Sequence, residues 1–340
     1  VLKEIKTSKP FQVKKKLSIR LGNQIGLEPA PTVLSMPNQV LVLHFDKFGK
    51  KMICDAYSHQ LEHKWRKENS SGQGPGEVSG GRFFYNEGKI YALDNVQHRF
   101  CIFDQKMKYL GVMGKLFNPS HHIFLINDTR YYLGLQSPRS AEIILYLNKL
   151  GSSKSKKIAH FGPYPFKNPK GIWMLKSKPD EIIFPHEHFI YYLNCKEYSI
   201  HRITLTGHID RVVRLKVPVI TLSREENKKN IAHYIRKHHM KVKWEFDPAV
   251  QPAAGVVLLQ KGFIVLRRTN YYRDCTGMVE GDYFTWDITL EGKVQFPCFL
   301  ACKSLWGMKS QSLWKNGIYL IEGGKEDDES DILSFWEVTE

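Results

Sequence analysis

Apolar and polar residues alternate with a period of two along most of this chain. The alternation is carried by β-branched and aromatic side chains, as in Gln39–Phe45 (QVLVLHF), Lys89–Leu93 (KIYAL), Arg99–Phe103 (RFCIF) and Glu142–Leu147 (EIILYL). It continues in Phe189–Leu193 (FIYYL), Ser199–Leu205 (SIHRITL), Phe263–Leu266 (FIVL) and Gly317–Ile321 (GIYLI). Successive side chains of a strand point to opposite faces, so this period predicts strands. Short strands at regular spacing with turn residues between them predict an all-β sandwich, barrel or propeller. One stretch breaks the pattern. Ser223-Arg224-Glu225-Glu226 has the spacing of a capping box and predicts a helix running past Ile231 and Tyr234 to about His238. With Pro218 before it and Pro248 after it, residues 217–250 read as a helical insertion between strands.

The strands fall into units. Residues 82–114 read as RFFY, KIYALD, RFCIFD and KYLGVMG, four strands with tight turns between them. The same order returns at 181–215 and 256–300, with weaker copies at 32–67 and 122–161. The last unit, 309–338, has only three strands, and an unassigned alternating segment, Phe11–Arg20 (FQVKKKLSIR), sits near the N-terminus. If that segment joins the last unit, two exposed sheet edges disappear. The expectation is one domain over residues 1–340: a six-bladed β-propeller of four-stranded blades, with the N-terminal strand completing the last blade.

A knot of glycines, Gly72-Gln73-Gly74-Pro75-Gly76-Glu77, precedes the second unit. A dinucleotide fingerprint needs glycine where Glu77 stands and a helix after it, and a P-loop needs Gly-Lys-Ser/Thr. Neither is present, so the knot reads as a turn between units. The segment GQGPGE, followed by GGRFFYNEGKIYALDNVQHRFCIFD and KYLGVMG, resembles the NHL-like repeat of the bacterial six-bladed β-propeller proteins. Many of those are exported lipoproteins of Bacteroidetes. Asp94, Arg99 and Phe103-Asp104 match the repeat, and Val78 stands where the family has an aromatic residue. The resemblance implies export to the periplasm or outer cell surface, and a binding or scaffolding role without a known reaction.

Composition narrows this further. A content of 42% hydrophobic and 12% aromatic residues fits a globular chain. No apolar run approaches the ~20 residues of a transmembrane helix. The chain starts at Val1 without a signal peptide, as in a mature or trimmed chain that has lost a lipid anchor. The net charge of +16 favours anionic partners, although the lysines are dispersed. No nucleic-acid module accompanies the charge, and nucleic acid is not expected as a partner. The six cysteines form no CxxC pair. Cys54, Cys101 and Cys195 read as core residues, whereas Cys298 and Cys302 are spaced for a local bridge or free thiols.

Two stretches carry candidate chemistry. Arg267–Asp274 (RRTNYYRD) follows a strong strand and interleaves cations with aromatic rings, which suits anionic or sugar ligands. Arg268, Tyr271, Tyr272 and Arg273 are the expected ligand contacts. His186 and His188 stand at i and i+2, on one face if the stretch is a strand, and would serve as metal ligands given a third donor. No GxSxG, HExxH or kinase motif occurs. The expected function is a non-enzymatic cell-envelope propeller that binds a protein or an anionic glycan on one face, with no cofactor. The alternative is a metal-dependent hydrolase or lyase holding calcium or zinc in the central channel.

Overall fold

The computed structural model describes residues 12–21, 31–46, 48–79, 81–94, 96–115, 122–126, 129–135, 142–149, 155–163, 173–175, 181–195, 197–216, 220–221, 225, 244–246, 249–250, 253–267, 278–297, 311–315, 317–322 and 331–339. It is an all-β propeller of four-stranded antiparallel blades. The first blade comprises β2 (Thr32–Met36), β3 (Gln39–Phe45), β4 (Lys51–Tyr57) and β5 (His63–Ser70). The second comprises β6 (Gly81–Asn86), β7 (Lys89–Asp94), β8 (Arg99–Phe103) and β9 (Tyr109–Lys115). The third comprises β10 (His122–Ile126), β11 (Thr129–Leu135), β12 (Glu142–Lys149) and β13 (Ser155–Pro163). The fourth comprises β15 (Glu181–His186), β16 (Phe189–Asn194), β17 (Ser199–Thr204) and β18 (Ile209–Arg214), and the fifth β22 (Ala253–Leu259), β23 (Gly262–Arg267), β24 (Met278–Thr285) and β25 (Leu290–Pro297).

Among the described residues, five blades are built of four consecutive strands; the expectation of six blades counted a composite last unit besides. The remaining four-stranded sheet is composite: β1 (Gln12–Arg20) pairs with β28 (Ile332–Thr339), followed by β27 (Gly317–Glu322) and β26 (Gln311–Trp314). The β1–β28 register runs antiparallel from Gln12↔Thr339 to Arg20↔Ile332, with one irregularity between Lys15 and Leu17. Of the helix expected from Ser223, only Glu225 is described, and it is helical; short strands flank that stretch. β19 (Ile220–Thr221) pairs with β21 (Ala249–Val250), and β20 (Trp244–Phe246) pairs in parallel with β14 (Trp173–Leu175).

Apolar faces are buried between neighbouring sheets. Leu41, Leu43 and Cys54 of the first blade pack with Phe83, Ile90 and Phe103 of the second. Tyr91 and Phe100 continue toward Tyr146 of the third, and β10 lies against β15. Tyr191 and Leu193 of the fourth blade meet Phe263 and Phe284 of the fifth. Ile264 and Val279 of the fifth meet Ile318 and Trp336 of the composite sheet, whose other face brings Tyr319 and Ile321 against Val40 and Val42 of the first. The first strands of the sheets, such as β2, β6 and β26, lie closest to one another and are innermost. Cys54, Cys101 and Cys195 are buried free thiols within this packing, as expected. Cys298 and Cys302 lie outside the described residues.

One turn recurs between the third and fourth strands of the blades. In Ser58–Glu62, Asp104–Lys108, Thr204–His208 and Thr285–Thr289, the first amide donates to the fifth carbonyl and the fourth amide to the first carbonyl. The first side chain accepts from the fifth amide in every copy, at 3.1 Å for Ser58, 2.8 Å for Asp104, 3.1 Å for Thr204 and 3.3 Å for Thr285. The fourth residue has positive φ: Leu61 65°, Met107 58°, Gly207 91° and Ile288 56°. Only one copy uses glycine. A left-handed non-glycine residue costs about 1–2 kcal/mol, more for a β-branched one. Leu61, Met107 and Ile288 offset the cost by burial, at 4%, 1% and 0% exposure.

Ile288→Gly sets these two effects against each other. Loss of a buried side chain typically costs about 2–5 kcal/mol, which exceeds the relief of the backbone. A net destabilisation of about 1–3 kcal/mol in urea unfolding is expected. A gain in stability would show that the backbone cost dominates.

Candidate functional site

The glycine knot is closed on itself. The Glu77 carboxylate accepts from the Gly74 amide at 2.8 Å. The Arg99 guanidinium donates to the carbonyls of Gln73, Gly74 and Glu77 at 3.2, 3.0 and 3.1 Å. Arg99 itself lies 3.4 Å from Asp94, which is fully buried and accepts the amides of Val96 and Gln97. A phosphate cradle offers free amides to an anion. Here the Gly74 amide already has an internal anion and three carbonyls have a cation, so the knot is a turn. Ser71 and Ser79 tie its ends to Val78 and Gly72. Val78 is fully buried in the core between the first two blades.

The basic stretch begins at the end of β23. Arg268, Tyr271, Tyr272 and Arg273 lie outside the described residues; their root, Arg267, does not. Arg267 holds Asp282 of β24 bidentately, with Nε 2.7 Å and Nη2 2.8 Å from the carboxylate oxygens. Tyr198, from the turn between β16 and β17, donates its hydroxyl to the same carboxylate. Asp282 and Tyr198 are each 1% exposed. Nη1 of Arg267 lies 3.7 Å from Glu280. Burial, reinforced by the neighbouring Asp282 charge, holds the Tyr198 hydroxyl well above its ordinary value and keeps it a donor. Hydrogen bonding to Asp282 raises Arg267 further against its own burial. Arg267 is thus committed to a carboxylate that, with Tyr198, locks the fourth blade to the fifth, immediately before the basic stretch in sequence.

Two further buried carboxylates, which the sequence reading did not pick out, are met by groups of their own sheets. Asp55 on β4 meets His44 at 3.5 Å and His63 at 3.3 Å, with Arg66 at 3.9 Å. Burial pushes Asp55 up, but the hydrogen bonds from both histidines and the Arg66 charge outweigh it and leave it lowered. Glu322 at the end of β27 accepts from Lys15 of β1, Ser334 and Trp336. These bonds lower its pKa against the effect of burial. Only tertiary packing reveals its partners, because Lys15 is separated from it by nearly the whole chain.

The histidine pair is divided by a turn. His186 ends β15, and Glu187-His188 form the two-residue link to β16, where His186 pairs with Phe189. The His186 ring stacks on Trp286 at 3.5 Å between centroids and 7° between planes. His188 is exposed in the turn. Among the described residues, no group of three or more His, Cys, Asp or Glu is arranged to hold a metal ion. A second stack mirrors the first: His59 lies on Trp314 at 3.6 Å and 11°. In each, the second residue of the recurring turn covers the last residue of the preceding sheet's inner strand, with His and Trp exchanged. Sequence periodicity does not show such contacts between sheets.

No family model and no curated protein matches the sequence. Solved structures that share its fold include two from Bacteroides species. One is a member of the DUF4221 family from Bacteroides vulgatus ATCC 8482, with a TM-score of 0.59 and 11% identity over 97% of this chain and 99% of that one. The other is a "Putative exported protein" of Bacteroides fragilis NCTC 9343, with a TM-score of 0.54 and 11% identity over 97% of this chain and 96% of that one. The likeness spans the whole propeller in both. No helix among the described residues is long and apolar enough to cross a membrane.

Acid should weaken this protein in two windows. Burial lowers the pKa of His186 and His59, so their neutral forms are favoured in the folded state. Their contribution is complete above the unfolded value near 6.5 and is lost as pH falls through and below it. Asp55 and Glu322 are lowered carboxylates, so their contribution is complete above about pH 4–4.5 and is lost below it. Replacing His59 and His186 with Phe should flatten the fall in melting temperature between about pH 7 and 5, and leave the steeper fall at lower pH. Separately, Asp282→Asn should cost about 3–5 kcal/mol, because it takes from Arg267 its buried bidentate partner and leaves only the exposed Glu280; chemical denaturation measures this.

Proposed function

We propose that this chain is an exported, non-enzymatic binding propeller, and that the loop from Arg268 to Arg273 contacts a protein or an anionic glycan. The observation that carries this reading is the Arg267–Asp282–Tyr198 anchor, which fixes the root of a basic, aromatic loop to a rigid blade junction. Rigid blades presenting loops at fixed positions are a general route to recognition without chemistry. The net charge of +16 favours an anionic partner. Arg268 and Arg273 would supply forked hydrogen bonds, and Tyr271 and Tyr272 stacking surfaces.

The composite sheet is read here as the sixth blade of one ring spanning residues 1–340. Its two faces meeting the fifth and first blades support that count. Export to the periplasm or cell surface is supported by the description of one structural neighbour, and by the repeat that this sequence resembles.

An array of acidic and neutral glycans, read at low and high salt, tests the proposal. Arg268→Ala with Arg273→Ala should weaken capture of the acidic glycans at least tenfold and reduce its salt dependence, with an unchanged melting temperature. Capture unaffected by both substitutions would remove the loop from consideration. Binding that requires calcium or zinc and is abolished by EDTA would favour a metal site involving His186 and His188 instead.

A further inference from the structure

In each blade, the turn between the second and third strands leaves the sheet at one end, and the turns on either side of it leave at the other. Lys51 pairs with Ser70 and Gly81 with Asp94, so the β3–β4 turn, the glycine knot and the β7–β8 turn share the first end. Among the described residues, the large apolar side chains most exposed are Phe48 at 77% and Val96 at 57%, and they lie in the β3–β4 and β7–β8 turns. The other exposed ones, Leu110, Val112, Ile209 and Val212, lie within the outermost strands β9 and β18. None lies in the described turns of the opposite end.

Both tips are held in place. The Asp46 carboxylate accepts from the amides of Lys50 and Lys51 at 2.6 and 3.2 Å. The Gly49 amide donates to the Asp46 carbonyl at 2.9 Å, and Gly49 takes a φ of 66°. The Lys50 carbonyl accepts from the amide of Ser71, just before the knot, at 2.8 Å. The knot is fastened in turn to Arg99, which closes the Val96 turn against Asp94. The carboxylates of this series are spent internally: Asp46 on the two lysine amides, Glu77 on Gly74, and Asp94 on Val96, Gln97 and Arg99. What remains for solvent beside Phe48 is cationic. Lys50 is exposed, and its ammonium makes no ion pair among the described residues.

A protein interface has a contiguous, packed apolar core. Single apolar side chains on separate, fixed turn tips, with a lysine beside them, suit a lipid surface instead. There, aromatic rings settle at headgroup level and lysines are drawn to anionic lipid. We propose that the β3–β4 and β7–β8 turns dock this end of the propeller on an anionic lipid surface, with Phe48 and Val96 entering the headgroup region and Lys50 meeting lipid phosphates. The acidic connection between β27 and β28 leaves the composite sheet at the same end. An anionic surface therefore meets the first and second blades and tilts away from the composite sheet. The site does not rest on the ligand assigned to the basic loop.

Co-sedimentation of the full chain with vesicles tests this, using phosphatidylcholine with and without phosphatidylglycerol. Wild type should bind the mixed vesicles and leave the neutral ones largely free. Phe48→Ala should weaken that binding about tenfold and Val96→Ser about threefold, from the apolar surface each no longer buries. Lys50→Glu should weaken it about tenfold through charge. All three should melt with the wild type, because the replaced side chains are exposed. The variant carrying Arg268→Ala and Arg273→Ala should still bind, and should lose binding when Phe48→Ala is added, which separates this site from the basic loop. No binding of wild type to the mixed vesicles would overturn the proposal. Equal binding by Phe48→Ala would overturn it too, leaving net charge alone as the cause. A wild-type dimer in sedimentation equilibrium that Phe48→Ala dissolves would assign the tips to a second copy, against the lipid surface.

Discussion

The pairing of β1 with β28 is the contact on which the rest of the arrangement depends. Stacked sheets leave apolar faces at both ends of the stack unless the last meets the first. Here the two ends of the chain share one sheet, which presents Ile318 and Trp336 to the fifth blade and Tyr319 and Ile321 to the first. Joining segments so distant in sequence carries a loop-closure cost that grows only logarithmically with length. Eight register pairs, two apolar faces and the Lys15–Glu322 bridge are set against it. Without β1, β28 would be an open edge and the carboxylate of Glu322 would lose its cation.

Closure also explains where charge is tolerated. Asp55, Asp94 and Asp282 are buried, and each is met by cationic or donor groups that lie on its own blade or reach from the next. Such clusters add little net stability over apolar packing, but a misregistered junction would leave a charge unpaired. They therefore discriminate against wrong registers more than they strengthen the right one.

The recurring five-residue turn performs two tasks at once. Its first side chain and its left-handed fourth residue fix the hairpin, and its second residue reaches the preceding sheet. His59 and Trp286 stack on Trp314 and His186, and Gln105 accepts from Gln39. A local motif is thereby converted into a contact between blades.

The strands were legible in the sequence because a half-buried strand must alternate, and alternation survives in one dimension. The same holds for the four-strand grouping, for the N-terminal segment needed by a three-stranded last unit, and for the glycine knot as a turn. The short strands at 220–221, 244–246 and 249–250 went unnoticed, because they follow from pairing with one another or with a distant partner, which a local pattern cannot register. The candidate loop was legible as composition alone, since cations and rings at 267–273 are visible without knowing what holds them. Only the tertiary structure decided that Arg267 and Tyr198 converge on Asp282, and that His186 is stacked on Trp286. Each depends on groups brought together from different strands or blades, and burial and pairing are properties of that meeting rather than of any one stretch of chain.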